Sequence, residues 1–356
     1  MVCAYYDRTV ADEVFDGLAI AQAEDFSRYR GACNVLRINM QEFLSEAQDM
    51  DGLLAELREA LLWELLEAYD ALRYRRKDNL RLVMETIYAQ TQRPFVIVID
   101  EWDCIFREYP HDTAAQKAYL DFLRDWLKDK EYVGLAYMTG ILPIKKYGTH
   151  SALNMFTEYS MENPRGLAPF VGFTEDEVKG LCEKYGMDFA ECRAWYDGYR
   201  FTEAEHIYSP KSVVEAMLAH RFDAYWNSTE TYEALKVYIN LNEDGLRDAI
   251  VKMMAGASIP IDTTTFQNDM TTFTSADDVM TLLVHLGYLG YDIDRGEVFI
   301  PNNEVRREYV TATKHGEEWN IISHTLRASD NLLEAVFQKD AAAVAAGVEK
   351  AHLETS

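Results

Sequence analysis

Cysteine is scarce in this sequence, and its positions form no pattern typical of a metal site or a disulfide framework. The 356 residues contain five cysteines and no C-x-x-C pair. Structural zinc sites and disulfide-stapled folds need paired or closely spaced cysteines. We therefore expect free thiols, no structural metal and a reducing, cytoplasmic location. The cysteines are Cys3, Cys33, Cys104, Cys182 and Cys192.

Long apolar runs and positive charge are also lacking. No stretch approaches the roughly 18 to 20 apolar residues that a bilayer-spanning helix needs, so we expect no membrane segment. The beginning of the chain lacks the basic and apolar regions of a signal peptide. Lysine and arginine total 35 against 60 acidic residues, a formal charge of −25. Such a surface repels phosphate backbones, so nucleic acid is not an expected partner.

What the chain does have is a strong alternation of strand and helix patterns in its first half. Apolar residues make up 48% of the sequence, enough for a substantial core. Continuous apolar strands separated by amphipathic helices are typical of a parallel sheet covered on both faces, so we predict an α/β fold. The predicted strands are 34–39, 95–100 and 132–138, and the predicted helices are 51–74, 78–91 and 113–129. A loop that contains Tyr109-Pro110 is predicted between the second strand and the last of these helices.

Beyond residue 170 the pattern changes to short helices, and later to a helix, a hairpin and a further helix. Residues 196–201 are predicted as a loop and residues 255–265 as a linker. The helix, hairpin and helix suggest a small winged-helix-like unit. We predict four segments: an α/β core at 1–170, a helical region at 171–262, the winged-helix-like unit at 263–316 and a helical segment at 317–356.

The stretch PFVIVIDEWD (94–103) combines a buried strand with three acids at its end, Asp100, Glu101 and Asp103. The carboxyl edge of a parallel sheet opens on the crevice where phosphates bind, and carboxylate oxygens suit Mg²⁺. A strand-capping acid paired with a neighbouring base is the alternative. The next predicted strand also ends on polar residues, at Thr139-Gly140, and the cations Lys145 and Lys146 follow, facing either phosphate or solvent.

Several stretches resemble the bacterial AAA-ATPase-like family, whose members are P-loop NTPases often followed by a PD-(D/E)XK nuclease-like domain. The similarity runs in order along essentially the whole chain. The stretches are VIVIDEWD, YMTGILPIKKYGTHSALNMF, FVGFTEDEV, YDGYRF, IYSPKSVVEAM, YWNST and LVHLGYLGYDIDRGEVFIPNNEVRREY. The resemblance implies a P-loop NTPase core, a helical lid and binding of ATP and Mg²⁺.

By this resemblance Asp100 is the Walker B aspartate that holds Mg²⁺ through water, Glu101 activates the attacking water, and Thr139 senses the γ-phosphate. Asp103 either orients groups at the cofactor site or is a surface carboxylate. The family's IDEYD stretch is followed by Pro-Leu, whereas here Trp102 replaces the tyrosine and Cys104 begins a different tail.

The family's phosphate loop, similar to RPRRFGKS, does not occur in the 356 residues, and neither does any G-x-x-x-x-G-K-[ST] sequence. We expect a chain truncated at both ends relative to the family, with no nuclease activity of its own. Phosphoryl transfer depends on positioning and charge stabilisation, so we predict no meaningful ATP hydrolysis by these residues. Whether this chain is an enzyme is left open.

The alternative function is a non-hydrolysing scaffold that binds a protein partner or a second copy. Aromatic residues between 195 and 226 form either the partner-binding surface or the core between the sheet and the lid. Arg165 and Arg200 either touch phosphate or form structural ion pairs. The histidines, including His111, His150, His206 and His285, show no metal spacing and are interpreted as structural. The aromatic residues are Trp195, Tyr196, Tyr199, Phe201, Phe222, Tyr225 and Trp226.

Overall fold

A computed structural model describes most of the chain, which divides into two compact units. The described residues are 1–47, 49–143, 153–226, 231–241, 245–267, 272–313, 335 and 339–354. Lys145, Lys146 and His150 lie outside them. The first unit is Met1–Glu158, and the second comprises Tyr159–Gln267 and Thr272–Ser356.

The first unit contains a parallel three-stranded sheet, as the α/β prediction required. Its strands are β1 (Asn34–Asn39), β2 (Phe95–Asp100) and β3 (Val133–Met138), in the order β1-β2-β3. Strand β2 is central, and its run FVIVI is almost entirely buried. A strand flanked on both edges and covered on both faces must be continuously apolar, which is what made β2 visible in the sequence.

Helices of the first unit begin where side chains cap free backbone amides. The side chain of Asn79 accepts a hydrogen bond from the amide of Leu82, and that of Asp112 accepts one from the amide of Ala115. The helices are α1 (Val2–Tyr6), α2 (Phe26–Tyr29), α3 (Met40–Glu46), α4 (Met50–Ala68), α5 (Leu80–Thr91), α6 (Cys104–Glu108) and α7 (Thr113–Leu127).

Two details of the first unit differ from the predictions. Helix α4 ends at Ala68, six residues before the predicted end, because its buried leucine stripe ends at Leu65. Residues 104–108 form the short helix α6, where the sequence suggested a loop. Five residues are too few to display helical periodicity, so α6 left no pattern to recognise.

The second unit is largely helical, as predicted. Its helix α8 begins with a capping box, in which the amide and hydroxyl of Thr174 each bond the carboxylate of Glu177 at 2.8 Å. The helices are α8 (Glu175–Tyr185), α9 (Phe189–Tyr196), α10 (Pro210–Ala219), α11 (Thr231–Ile239), α12 (Leu246–Met254), α13 (Ala276–His285), α14 (Asn303–Thr313) and α15 (Ala341–Glu354).

Two small antiparallel sheets in the second unit correct the sequence predictions. The predicted loop at 196–201 contains a strand, and so does the predicted linker at 255–265. The hairpin predicted between α13 and α14 is present as the strands β8 (Gly290–Asp292) and β9 (Glu297–Phe299). The first sheet has the order β4 (Phe173–Thr174), β6 (Ala204–Tyr208), β5 (Tyr199–Phe201), and the second β7 (Ile259–Pro260), β9 (Glu297–Phe299), β8 (Gly290–Asp292).

The aromatic residues between 195 and 226 belong to the interior of the second unit. Tyr196 is fully buried, and Trp195, Phe222 and Tyr225 pack against the same cluster. The tyrosine hydroxyl of Tyr199 donates to the carbonyl oxygen of Gly287 at 2.7 Å. Tyr196, Trp195, Phe222 and Tyr225 therefore belong to a core within the second unit.

A buried carboxylate fixes the chain around these aromatics. Glu304 at the start of α14 is 1% exposed. Its two oxygens accept hydrogen bonds from the amides of Tyr225 and Trp226, at 2.6 and 2.9 Å, and from the hydroxyl of Ser212 at 2.7 Å. These bonds join α14, α10 and the segment at Tyr225. Replacement of the carboxylate would leave buried donors unsatisfied, which costs stability.

The thiols provide a test of the fold. All five cysteines are free, and every one except Cys3 is buried. Burial raises the pKa of Cys33 and Cys182, and raises that of Cys104 and Cys192 to about 12. Since the thiolate is the reactive form, we expect one fast-reacting thiol in the native protein and five after unfolding.

The measurement is titration with an aromatic disulfide reagent, before and after addition of denaturant. The variant Cys3→Ser is the control and should show no fast-reacting thiol in its native state. A second fast phase in that variant would contradict the burial of the other four cysteines.

Candidate functional site

Polar side chains stand in a row where the three parallel strands of the first unit end. The register pairs Asn39 of β1 with Asp100 of β2, and Ile99 of β2 with Met138 of β3. Asp100 and the residue after β3, Thr139, therefore emerge side by side. Asn39 is used locally, because its side-chain oxygen accepts the amide of Gln41 at 3.1 Å and caps α3.

Thr139 and Asp100 are in direct contact. The Thr139 hydroxyl donates a hydrogen bond to Oδ1 of Asp100 at 2.5 Å, and the backbone N–H of Glu101 donates to the same oxygen at 3.1 Å. Across the described part of the chain, no hydrogen bond to the other oxygen, Oδ2, is found. The side chain is half-buried, so one carboxylate oxygen is held by the protein while the group retains access to solvent.

Glu101 sits in a tight turn that ends β2. Its φ of 55° lies in the left-handed region, which costs a non-glycine residue about 1 kcal/mol. The next residue returns to the sheet, because the amide of Trp102 donates to the carbonyl oxygen of Thr139 at 3.0 Å. The Glu101 side chain is 38% exposed, and the guanidinium of Arg107 donates a hydrogen bond to its Oε2.

Asp103 is used inside the protein. Its side chain is completely buried, and Oδ2 accepts the amides of Ile141 and Leu142 at 3.1 and 2.8 Å. Arg107 supplies the nearest positive charge, with Nε at 3.7 Å from the same oxygen. A buried carboxylate that accepts two amides, with an arginine at ion-pair distance, fixes the turn that follows β3.

Apolar packing holds α6 beneath this edge. The rings of Trp102 and Phe106 lie 5.4 Å apart, and those of Phe106 and Tyr119 lie 6.4 Å apart. Burial, with the nearby Cys104 and Asp103, raises the pKa of Tyr119 well above its ordinary value. Burial likewise raises the pKa of Cys104 to about 12. Neither group ionises near neutral pH, so neither adds charge to this end of the sheet.

The edge fits a hydrated Mg²⁺ better than a metal held by the protein alone. Among the described residues, no group of three or more His, Cys, Asp or Glu side chains is arranged to hold a metal ion. Mg²⁺ keeps several waters and is commonly bound through one or two carboxylates plus substrate phosphates. Asp100 supplies a partly exposed hard oxygen beside the Thr139 hydroxyl, a donor set suited to such an ion.

Arg107 is the residue of this site that the sequence analysis missed. It stands four residues after Asp103 and six after Glu101. The i, i+4 spacing to Asp103 would predict an ion pair on a helix, but α6 was predicted as a loop. Without the helix, nothing in the sequence singled out this arginine from its neighbours.

Other residues considered from the sequence lie in the second unit and contact protein groups. The guanidinium of Arg165 lies 5.7 Å from the ring centre of Tyr159, and that of Arg200 lies 5.1 Å from the ring centre of Phe299. These are cation–π contacts rather than the ion pairs that the sequence suggested.

The two histidines described in the second unit's interior also have structural neighbours. His206 bonds Asp197 through Nδ1 at 2.8 Å and contacts Arg193 through Nε2 at 3.1 Å. His285 stacks on Phe266, with ring centres 5.7 Å apart. Neither lies beside a nucleophile identified in the structure, so both fit the structural role expected for them.

Comparison with known proteins finds a family match for the part of the chain that contains Asp100 and Thr139. Residues 1–149 match the family described as AAA-ATPase_like, Predicted AAA-ATPase. The resemblance stated from the sequence is thereby confirmed for these residues, which include Asp100, Glu101, Asp103 and Thr139. Residues 1–149 are thus similar to this family.

A more distant relative extends further along the chain. It is described as an uncharacterized protein in the vnfD 5′ region of Azotobacter chroococcum mcd 1 and is 28% identical over 227 residues. The match covers 62% of this chain and 42% of that protein, so the chain spans less than half the relative's length. No solved structure matches the chain.

The tight turn at Gly140 gives a stability prediction. A methyl group at this position would lie 2.7 Å from Cδ1 of Trp102 and closer still to Oδ1 of Asp103, and both side chains are buried. We expect Gly140→Ala to lower the free energy of unfolding by about 1–3 kcal/mol through overpacking. Urea unfolding of the full chain measures the effect.

Gly180→Ala is the matched control, because Gly180 lies within α8 and a methyl group there meets no atom within 4 Å. Removing a helical glycine should raise stability by about 0.5–1 kcal/mol. Equal changes in the free energy of unfolding for the two variants would show that the turn after β3 is not packed against Asp103 as described.

Proposed function

We propose that the first unit is an AAA-ATPase-like module for binding Mg²⁺-ATP at the carboxyl edge of its sheet. In this proposal Asp100 holds Mg²⁺ through water, Thr139 is the polar sensor beside it, and Glu101 orients water at the γ-phosphate. The hydrogen bond between Thr139 and Asp100 carries the proposal, since it couples the sensor to the metal-side carboxylate across two strands. Bound Mg²⁺ would neutralise charge on the phosphates.

Asp103 is proposed as a positioning residue of this site. Its buried carboxylate bonds the turn that follows Thr139, so it acts on the nucleotide through the shape of that turn. The Asp103 side chain is completely buried, so it is not a surface carboxylate.

Hydrolysis is a separate matter from binding. The 356 residues contain no G-x-x-x-x-G-K-[ST] sequence to supply the amides and lysine that cradle the β- and γ-phosphates. Loss of one charge stabiliser of the arginine-finger type costs about 10³ to 10⁵ in rate. We therefore propose that these residues alone do not hydrolyse ATP at a meaningful rate.

A non-hydrolysing interaction scaffold is the second candidate function, and one surface of the second unit favours it. Phe170 is 82% exposed and Val171 is 53% exposed. Nearby in sequence, Phe173 lines an apolar groove of about 430 Å³ together with Leu181 and Met217. Exposed apolar surface of this kind suits a protein partner or a second copy of the chain.

The remaining assignments are proposals of the same kind. We propose that 171–262 is the helical lid region and 263–316 the winged-helix-like unit. The tip of its hairpin carries Asp292, Asp294 and Glu297 beside Arg295, which disfavours nucleic acid.

None of the helices in the described ranges has the length and apolar character needed to cross a bilayer. Cytoplasmic location is proposed from the free cysteines.

Calorimetric titration of the full chain with ATP and Mg²⁺ tests the nucleotide proposal. We expect weak, saturable binding that Asp100→Asn reduces at least about tenfold, because the variant loses the anionic oxygen that Mg²⁺ prefers. Asp121→Asn is the control, since Asp121 is an acid of the same unit that pairs with Lys117 and Arg124 on α7.

Binding that is identical in the two variants would contradict the metal role of Asp100. Absence of saturable heat up to millimolar nucleotide in all three proteins would contradict nucleotide binding and favour the scaffold. In that case a partner should bind Asp100→Asn and the unaltered chain equally well without nucleotide.

A further inference from the structure

Arg107 lies beside two of the three acids that follow β2. Its guanidinium donates to Oε2 of Glu101 and lies 3.7 Å from Oδ2 of Asp103. Among the described residues, the ion pairs of Glu101 and of Asp103 are both made with Arg107. One arginine thus compensates one buried and one partly exposed carboxylate.

The two ion pairs are of different kinds. Asp103 is completely buried and also bonds two amides, so its contact with Arg107 is part of the protein interior. The side chain of Glu101 is 38% exposed, so its carboxylate has access to solvent. The pair with Glu101 is therefore the one that can open, because exposed ion pairs are weak.

We propose that Arg107 is a positioning residue that holds Glu101 at the strand end and stands in for a divalent cation until one binds. This inference rests on the proposed metal role of Asp100. Arg107 and the metal ion compete for the same negative charge, since both are cations at one edge. Metal binding and release of Glu101 from Arg107 are then coupled, and Glu101 becomes available to orient water only when the metal is present.

Titration of the full chain with Mn²⁺ alone, followed by electron paramagnetic resonance of the free ion, tests this coupling. Arg107→Gln should bind Mn²⁺ roughly tenfold more tightly than the unaltered chain, because Glu101, freed from its ion pair, contributes a unit negative charge several Å from the divalent ion. Arg124→Gln is the matched control, because Arg124 pairs with Asp121 on α7. Its affinity should remain near that of the unaltered chain.

The route through Glu101 is tested by a double-variant cycle. In a Glu101→Gln background the gain in Mn²⁺ affinity from Arg107→Gln should largely disappear, because the side chain for which Arg107 and the ion compete is already neutral. A full gain in that background would show a general charge effect and overturn the positioning role. Equal Mn²⁺ affinities of Arg107→Gln and Arg124→Gln would overturn the competition itself, as would absence of binding by Arg107→Gln.

A second measurement needs no substitution and so keeps the cation beside the buried Asp103 in place. The unaltered chain is treated with an arginine-directed dicarbonyl reagent, and modified peptides are quantified by mass spectrometry. Saturating Mn²⁺ should increase modification of Arg107 and leave Arg124 unchanged. Unchanged modification of Arg107 would overturn the proposal.

Failure of the proposed function has a different signature. If Mn²⁺ binds Asp100→Asn as tightly as the unaltered chain, the metal role of Asp100 is wrong. The comparisons between Arg107 and Glu101 variants still report whether those two side chains are coupled to the ion.

Discussion

The parallel register of β2 with its two neighbours is the constraint on which the first unit depends. It sets Asp100 beside Asn39 on one side and brings Thr139 next to it on the other. Because β2 is central and apolar, its polar residues can appear only where the strand ends. A shift of register by one residue would remove the hydrogen bond between Thr139 and Asp100.

Three acids within four residues end up in three different environments, and this divides their possible roles. Asp100 is half-buried and bonded to a hydroxyl and an amide, so it can face a hydrated ion. Glu101 is partly exposed in a left-handed turn and paired with Arg107. Asp103 is buried and bonded to the amides after β3. Chemistry open to solvent therefore belongs to the first two.

The second unit relies on a buried carboxylate in a similar way. Glu304 bonds the amides of Tyr225 and Trp226 and the hydroxyl of Ser212, and so joins α14, the loop after α10 and α10 itself. These polar contacts fix aromatic residues whose packing alone would allow several arrangements. In both units, buried acids organise loops that apolar packing leaves unspecified.

The sequence by itself determined the long elements and the position of the acids. The five-residue apolar run of β2 and helices such as α7 follow from the hydrophobic pattern, and Asp100, Glu101 and Thr139 follow from where β2 and β3 end. Only the tertiary structure decided the pairing of β5 with β6 and of β7 with β9. It also decided the burial of Asp103 and the contact of Arg107 with Glu101. The reason is physical: short strands and a one-turn helix carry too few residues to show a period, and an acid's environment depends on amides some 38 residues away in the chain.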